Sequence, residues 1–374
     1  MAGLYLHIPF CKKACHYCDF HFSTSLKHKT SFLTALEQEI VLRADEFKNI
    51  IVETIYFGGG TPSILEVDEI KSIIAIIRSH YDVIVLPEIT LEANPDDLSD
   101  EKIKELATTE INRLSIGVQS FGDKELQMMN RAHSAQEVKQ SLKTATQYFD
   151  NITIDLMYGI PGLSVEEWKQ NIKEALSFGV DHISSYALTV EEGTALHHFI
   201  KEGKYPALDE NLAASHFDVL VAELQQAGFD HYEISNFGKP DFYSKHNTSY
   251  WLGKFYLGFG PSAHSYRGSV RSWNVANNVK YIKALSENRL PSTQEILSIK
   301  DRYNEYIMTG LRTIWGVSFA KVEQDFGVET LAVLKNQILP FLKQGTLEIE
   351  KNQLKTTQKG KFLADGIASE LFWV

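Results

Sequence analysis

The chain contains three cysteines, Cys11, Cys15 and Cys18, and all three fall within eight residues. An odd count packed this tightly excludes a disulfide framework and aims three thiolates at one metal centre. Structural zinc normally takes four ligands in C-x2-4-C pairs, the second pair lying much further along the chain. No second pair exists here. His16 could complete a Cys3His set, but it sits between two ligands and would have to fold back on the ion that both neighbours hold. Three thiolates suit a cubane 4Fe-4S cluster in which the fourth iron stays open, because soft sulfur ligands favour iron-sulfur chemistry. An open iron is a place for a substrate or cofactor.

Such a loop needs rigid elements on both sides. Residues 3–7 read as a short strand ended by Pro9, which can continue neither a ladder nor a helix. Phe32, Leu33, Leu36, Ile40 and Val41 recur at helical spacing, predicting a helix over 30–43. The unit then repeats. Strands are expected at 52–57, 88–93, 112–117, 152–158 and 182–187, and helices at 66–79, 98–108, 134–148 and 164–177. Alternation of this kind predicts an α/β fold, a partial, six-unit (β/α)6 TIM-like barrel whose function collects at the carboxyl ends of its strands. The cysteine loop, Gly58-Gly59-Gly60-Thr61-Pro62, Glu92, Gln119 and the stretch 155–162 all sit at or just beyond such ends.

Beyond residue 190 the period changes. Helices near 194–202 and 209–227 lead into residues 229–275, which carry twelve Phe, Tyr and Trp residues. Linkers are poor in aromatics, so this segment is expected to pack on the open side of the barrel. Helices follow at 277–288, 297–313, 318–325 and 328–343, then a hairpin of 346–349 with 353–356 and a last helix over 359–371. That order predicts a winged-helix-like C-terminal module. The expected domains are a barrel over 1–190, an aromatic-rich extension covering it over 191–290, and the C-terminal module over 291–374.

With 44% hydrophobic residues the chain can fill two cores, and a formal charge of -11 argues against a general nucleic-acid binder. No apolar run reaches the ~20 residues that span a bilayer. The longest candidate is interrupted by Arg78, His80 and Asp82. The opening residues lack a basic n-region and an apolar h-region, so a cytoplasmic protein is expected, where thiols stay reduced.

The remaining candidates each have a plainer reading. Three glycines let a backbone approach a ligand closely, or simply make a tight turn. Glu92 can accept both hydroxyls of a ribose diol, or be a solvated strand-end carboxylate. Gln119, Arg131 and Asp155 could bind polar groups, or each serve the fold. Asp155 stands out, because a carboxylate among Ile152, Ile154, Leu156 and Met157 is costly without a partner.

Cys11-x3-Cys15-x2-Cys18, with Tyr17 before the third cysteine, resembles the signature of the radical S-adenosylmethionine (SAM) family. In that family the amino and carboxylate groups of SAM chelate the open iron. The glycine run resembles the family motif that holds the amino group of SAM, in a GGGTP form. Together LYLHIPFC, YFGGGTP, LEANPDDL, RLSIGVQSF, NRAHS and IDLMYGIPG resemble the oxygen-independent coproporphyrinogen III oxidases and the related HemW haem chaperones across nearly the whole chain. The resemblance implies that Tyr5, Tyr17, Gly59, Gly60, Thr61, Glu92, Gln119, Arg131, Asp155 and Ala187 line a SAM site.

Two departures count against the oxidase. Its fourth cysteine is replaced by Phe20, and the chain starts only ten residues before Cys11. His246-Asn247-Thr248-Ser249-Tyr250-Trp251 matches instead the H-N-x-x-Y-W motif associated with haem in the chaperones. An imidazole can ligate haem iron while Tyr and Trp pack on the macrocycle. His246, Asn247, Tyr250 and Trp251 are therefore the expected haem residues. The implied function is a haem chaperone that passes haem to an acceptor protein, with the oxidase as the alternative. Exposed aromatics near 237–259 would fit either a homodimer or a membrane respiratory acceptor.

Overall fold

The computed structural model describes residues 2–374, and its first six strands run in chain order as one parallel sheet. They are Ala2–Ile8 (β1), Val52–Gly59 (β2), Val83–Ala93 (β3), Arg113–Gln119 (β4), Ile152–Tyr158 (β5) and His182–Ala187 (β6). The helices between them are Lys29–Leu42 (α1), Val67–His80 (α2), Asp100–Leu106 (α3), Asp123–Met128 (α4), Ala135–Ala145 (α5) and Val165–Ser177 (α6). The barrel is partial, its sheet left open.

Period-two alternation sends two different chemistries to the two faces of this sheet. Leu4, Leu6 and Ile8, Ile55 and Phe57, and Ile154 and Leu156 are fully buried beneath the helices in the main core. The alternate residues face the lumen and are polar: Thr54, Glu88, Arg113, Thr153 and His182 lie on successive strands, all nearly or fully buried. Parallel strands buried on both faces usually read as continuous apolar runs. This lumen is instead built of hydrogen-bonding groups.

After β6 come Ala195–Lys201 (α7) and Glu210–Gln226 (α8), then Asp230–Glu233 (β7) and Asn236–Gly238 (β8). Next are Lys245–Trp251 (α9), Phe255–Phe259 (β9), His264–Arg267 (β10), Val270–Asn274 (β11), Asn278–Ser286 (α10) and Ser292–Ile296 (β12). The aromatic segment thus contains strands that sequence reading did not assign. They lengthen the sheet to twelve strands: β8 and β7 add antiparallel beyond β6, while β9 pairs parallel with β1 and leads out to β10, β11 and β12. Helix α9 packs against β1, β2 and β9.

The remaining elements gather round a separate hydrophobic cluster that includes Tyr303, Ile307, Leu334 and Leu354. Ile299–Leu311 (α11), Val317–Ser318 (β13), Phe319–Phe326 (α12), Val328–Gln337 (α13), Leu339–Gln344 (α14), Leu347–Glu350 (β14) and Gln353–Thr356 (β15) make a winged-helix-like order. Its small sheet runs β13-β15-β14. Gln358–Lys361 (α15) and Ala364–Glu370 (α16) finish the chain. The single helix expected over 328–343 is two, because Pro340 in the first turn of α14 has no N–H to continue the ladder. The last helix is also divided, into α15 and α16.

One buried ion pair ties α1 to the β9–β11 edge. Glu39, wholly buried, accepts from Tyr281 Oη (2.6 Å), Asn274 Nδ2 (2.7 Å), Gly260 N (2.8 Å) and Arg43 Nη1 (3.2 Å). Arg43 in turn donates to the Gly258 carbonyl (2.7 Å) and Ser265 Oγ (3.1 Å). Arg43 also holds Glu46, Nε to Oε1 at 2.7 Å, so removing Glu39 leaves the arginine one partner but strands the Tyr281 and Gly260 donors in a dry site. Glu39→Ala is expected to cost about 3–5 kcal/mol in denaturant unfolding, and to lose more than Arg43 and Glu39 replaced together by apolar residues. A loss below ~1 kcal/mol would show that water reaches the site.

Candidate functional site

The cysteine loop lies between β1 and α1 and is stitched to three other segments. The Cys11 N–H donates to the Ser23 carbonyl at 3.0 Å and the His16 N–H to the Met129 carbonyl at 3.1 Å. The Leu196 N–H reaches the His16 carbonyl at 2.7 Å, and Asn130 Nδ2 the Ala14 carbonyl at 2.7 Å. His16 turns its ring onto the protein, with Nδ1 at 2.8 Å from the Met128 carbonyl and the ring perpendicular to that of Phe199 at 4.9 Å between centroids. That engagement leaves the three thiols as the metal-binding chemistry of the loop.

Cys11, Cys15 and Cys18 are all unpaired and half-buried. Among the described residues no three His, Cys, Asp or Glu side chains converge as a site for a single ion. Three soft thiolates carried on one loop suit an iron-sulfur cluster. Burial pushes the Cys11 thiol up to about 11 and the Cys18 thiol up as well, so cluster binding must displace their protons.

Arg131 supplies the positive charge beside these thiols. Its Nη1 lies 3.3 Å from Cys15 Sγ and 3.4 Å from Tyr17 Oη, while Nη2 donates to Asn94 Oδ1 (2.7 Å) and the Gly117 carbonyl (2.9 Å). Asn94 passes the connection on through Nδ2 to Thr61 Oγ1 at 3.3 Å, and the Thr61 side chain lies beside Cys11, whose thiol it holds down against the rise that burial causes. The structure therefore brings together Cys11, Cys15, Tyr17, Thr61 and Arg131. Asn94 and Gly117 were missed. A β-carbon on Gly117 would come within 3.1 Å of both Arg131 Nη2 and Gln119 Nε2, and Gln119 itself adopts a left-handed φ of 67° at the irregular end of β4.

The glycine run is demanded by close approach. A β-carbon on Gly60 would lie 2.7 Å from the Phe10 carbonyl oxygen, and one on Gly59, whose φ is 108°, 2.7 Å from His7 Nδ1. Glu92 faces the lumen beside Gly58 and accepts from Tyr56 Oη at 2.8 Å. Tyr5 stacks on Tyr56 with ring centroids 6.0 Å apart. Asp155 accepts from Ser115 Oγ at 3.3 Å, and Ala187 ends β6 opposite Tyr158. Backbone and carboxylate acceptors along the strand ends suit the amino and ribose groups of SAM, and the Arg131 guanidinium and Gln119 amide supply donors suited to its carboxylate.

The haem motif occupies α9, capped by Ser244. His246 is fully buried, with Nδ1 2.7 Å from Thr54 Oγ1 and Nε2 2.7 Å from Tyr250 Oη. Its ring stacks on Tyr56 at 4.9 Å, and burial pushes its pKa down to about 3, so the imidazole is neutral. Tyr250 and Trp251 line a cavity of about 940 Å3 between the barrel mouth and the C-terminal module, whereas His246 and Asn247 do not. The cavity also takes in Phe20, Tyr256, Tyr266 and the faces of α11 and α12.

Burial raises two lumen carboxyls, Glu92 to about 7 and Asp155 to about 6. The Tyr56 hydrogen bond opposes the rise at Glu92, and the Asp155 charge adds to it. Folded, these groups keep protons that the unfolded chain releases above pH ~4.5, so stability present at low pH is lost as pH rises towards 7. Glu92→Gln in the SAM-free chain is expected to be more stable than wild type at pH ~8 by on the order of 3 kcal/mol, and much less so at pH ~5. A gap independent of pH in denaturant unfolding would refute the burial account.

Residues 5–175 match the radical SAM superfamily and 297–363 the HemN C-terminal domain. The heme chaperone HemW of Bacillus subtilis is 34% identical over 372 residues, covering 98% of each chain. That of Lactococcus lactis is 35% identical, covering 97% of each, and that of Mycobacterium tuberculosis 32% identical, covering 99% of this chain and 94% of its own. The coproporphyrinogen III oxidase HemN of Escherichia coli shares the fold at a TM-score of 0.86 and 24% identity, over 99% of this chain and 90% of that one. End-to-end relatives above 30% identity, joined to a thiol loop at the mouth of a partial barrel, leave one assignment: this chain belongs to the HemW haem chaperone family of radical SAM proteins.

Proposed function

We propose that this protein carries haem in the cytoplasm and hands it to an acceptor protein, with a SAM-coordinated 4Fe-4S cluster resident at the barrel mouth. The observation that carries the reading is the 940 Å3 cavity beside the cysteine loop, walled by Tyr250, Trp251, Tyr256 and Tyr266. Flat aromatic walls bury a planar macrocycle well, and ligand cavities of ~300–1,000 Å3 are usual for bound small molecules. The near-full-length relatives named heme chaperones support the same choice of cargo.

Cys11, Cys15 and Cys18 would hold the cluster, and its open iron the amino and carboxylate groups of SAM. When bound, the cluster supplies single-electron reducing chemistry to the sulfonium of SAM. Around it Arg131 would balance thiolate charge, the backbone of the glycine run would offer acceptors to the amino group, and Glu92 would accept from the ribose hydroxyls. Tyr5, Tyr17, Thr61, Gln119, Asp155 and Ala187 complete the lining.

Anaerobic reconstitution tests the reading directly. The reconstituted protein is expected to take up one haem per chain and to yield no protoporphyrinogen from coproporphyrinogen III with SAM and reductant. Decarboxylation without tight haem binding would overturn the proposal in favour of the oxidase.

A further inference from the structure

Resting on the haem-carrying reading, we infer that haem sits in the cavity between the barrel mouth and the C-terminal module, with the His264 imidazole as an axial iron ligand and the Arg302 guanidinium as the partner of a propionate. His246 is poorly placed for the iron, since Thr54 and Tyr250 engage both of its nitrogens and it does not reach the cavity wall. Three other imidazoles do line the wall: His7, His21 and His264. His7 is bonded through Nε2 to the His21 carbonyl at 2.9 Å and lies 3.4 Å from Tyr5 Oη through Nδ1. His21 spends Nε2 on Asn278 Oδ1 at 2.7 Å.

His264 alone of the three is exposed, with neither ring nitrogen hydrogen-bonded among the described residues. It is also held in place. The residue opens β10 and pairs across the strands with Trp273, on which its ring stacks at 6.0 Å between centroids. The strand beneath is equally fixed, because a β-carbon at Gly258 would collide with the His264 carbonyl. A neutral imidazole gives iron a nitrogen lone pair, so the Fe–N bond forms without any proton or electron changing hands.

The cations of the cavity divide in the same way. Arg271 is paired with Glu295 and Glu305, and Lys321 with Asp325. Arg302, exposed on α11 at the cavity wall, has no ion pair among the described residues. Guanidinium is the side chain suited to two-point binding of a carboxylate. Ligation from β10 and carboxylate binding from α11 would place the cargo against both hydrophobic cores.

Titration of the full chain with haemin and, separately, with iron-free protoporphyrin IX distinguishes the parts. Absorption and electron paramagnetic resonance spectra read the ligand, and circular dichroism melts check folding. His264→Ala is expected to lose the imidazole signature and weaken haemin about tenfold or more, while binding protoporphyrin IX as wild type does. Arg302→Glu should weaken both pigments alike. Folded His246→Ala should keep the imidazole signature. The assignment is overturned if His264→Ala keeps the wild-type spectrum, if it loses both pigments equally, or if folded His246→Ala loses the signature. Wild-type protein that binds neither pigment would instead overturn the haem reading itself. Wild-type binding untouched by the His264 and Arg302 changes would leave that reading standing and place the haem elsewhere.

Discussion

Polar side chains facing the lumen of a parallel barrel are costly when dry and unpartnered, and although Thr90 Oγ1 and Arg113 Nε find no partner among the described residues, much of this architecture follows from that constraint. Thr153 meets His182 Nδ1 at 3.1 Å, His182 Nε2 meets Tyr232 Oη at 2.6 Å, and Ser184 meets Asn236 at 3.0 Å. Tyr232 and Asn236 come from β7 and β8, so the strands beyond β6 complete the hydrogen bonding of the barrel as well as lengthening its sheet. On the other side α9 does the same work. Glu88 accepts from the Lys245 and His246 backbone at 3.0 and 2.9 Å, and Thr54 meets the His246 ring.

The metal-facing end is organised by a second network of the same kind. Arg131 is a half-buried cation whose partners are a thiol, a phenol, an amide and a carbonyl, drawn from the cysteine loop, the end of β3 and the end of β4. Its position fixes the loop relative to the strands without any carboxylate. A cluster placed there would meet a preformed positive charge rather than one that must be recruited.

Much of this was legible in the chain. β5 and β6 have the bounds their alternation predicts, and the three cysteines lie on a loop just after a strand, as the sequence pattern placed them. Strands β9 to β11 were hidden because aromatic and glycine-rich runs carry no clear period, and β12 because Ser292–Ile296 is polar and exposed; their strand character comes from pairing outward from β1. The i,i+4 spacing of His246 and Tyr250 was visible, but which side of α9 meets the cavity depends on Thr54, 192 residues away. Asn94 was equally opaque. Its importance lies in the Arg131 contact, which local propensity does not encode.

The cavity has one wall from each of two hydrophobic clusters, since α11 and α12 belong to the second and β9, β10 and the cysteine loop to the first. Anything that fills it acts as a cross-brace. Two cores able to unfold in separate steps when the space holds water would gain a shared stabilisation from the occupant, and so tend towards one cooperative transition. Loading and unloading would then be felt as changes in rigidity across the whole chain.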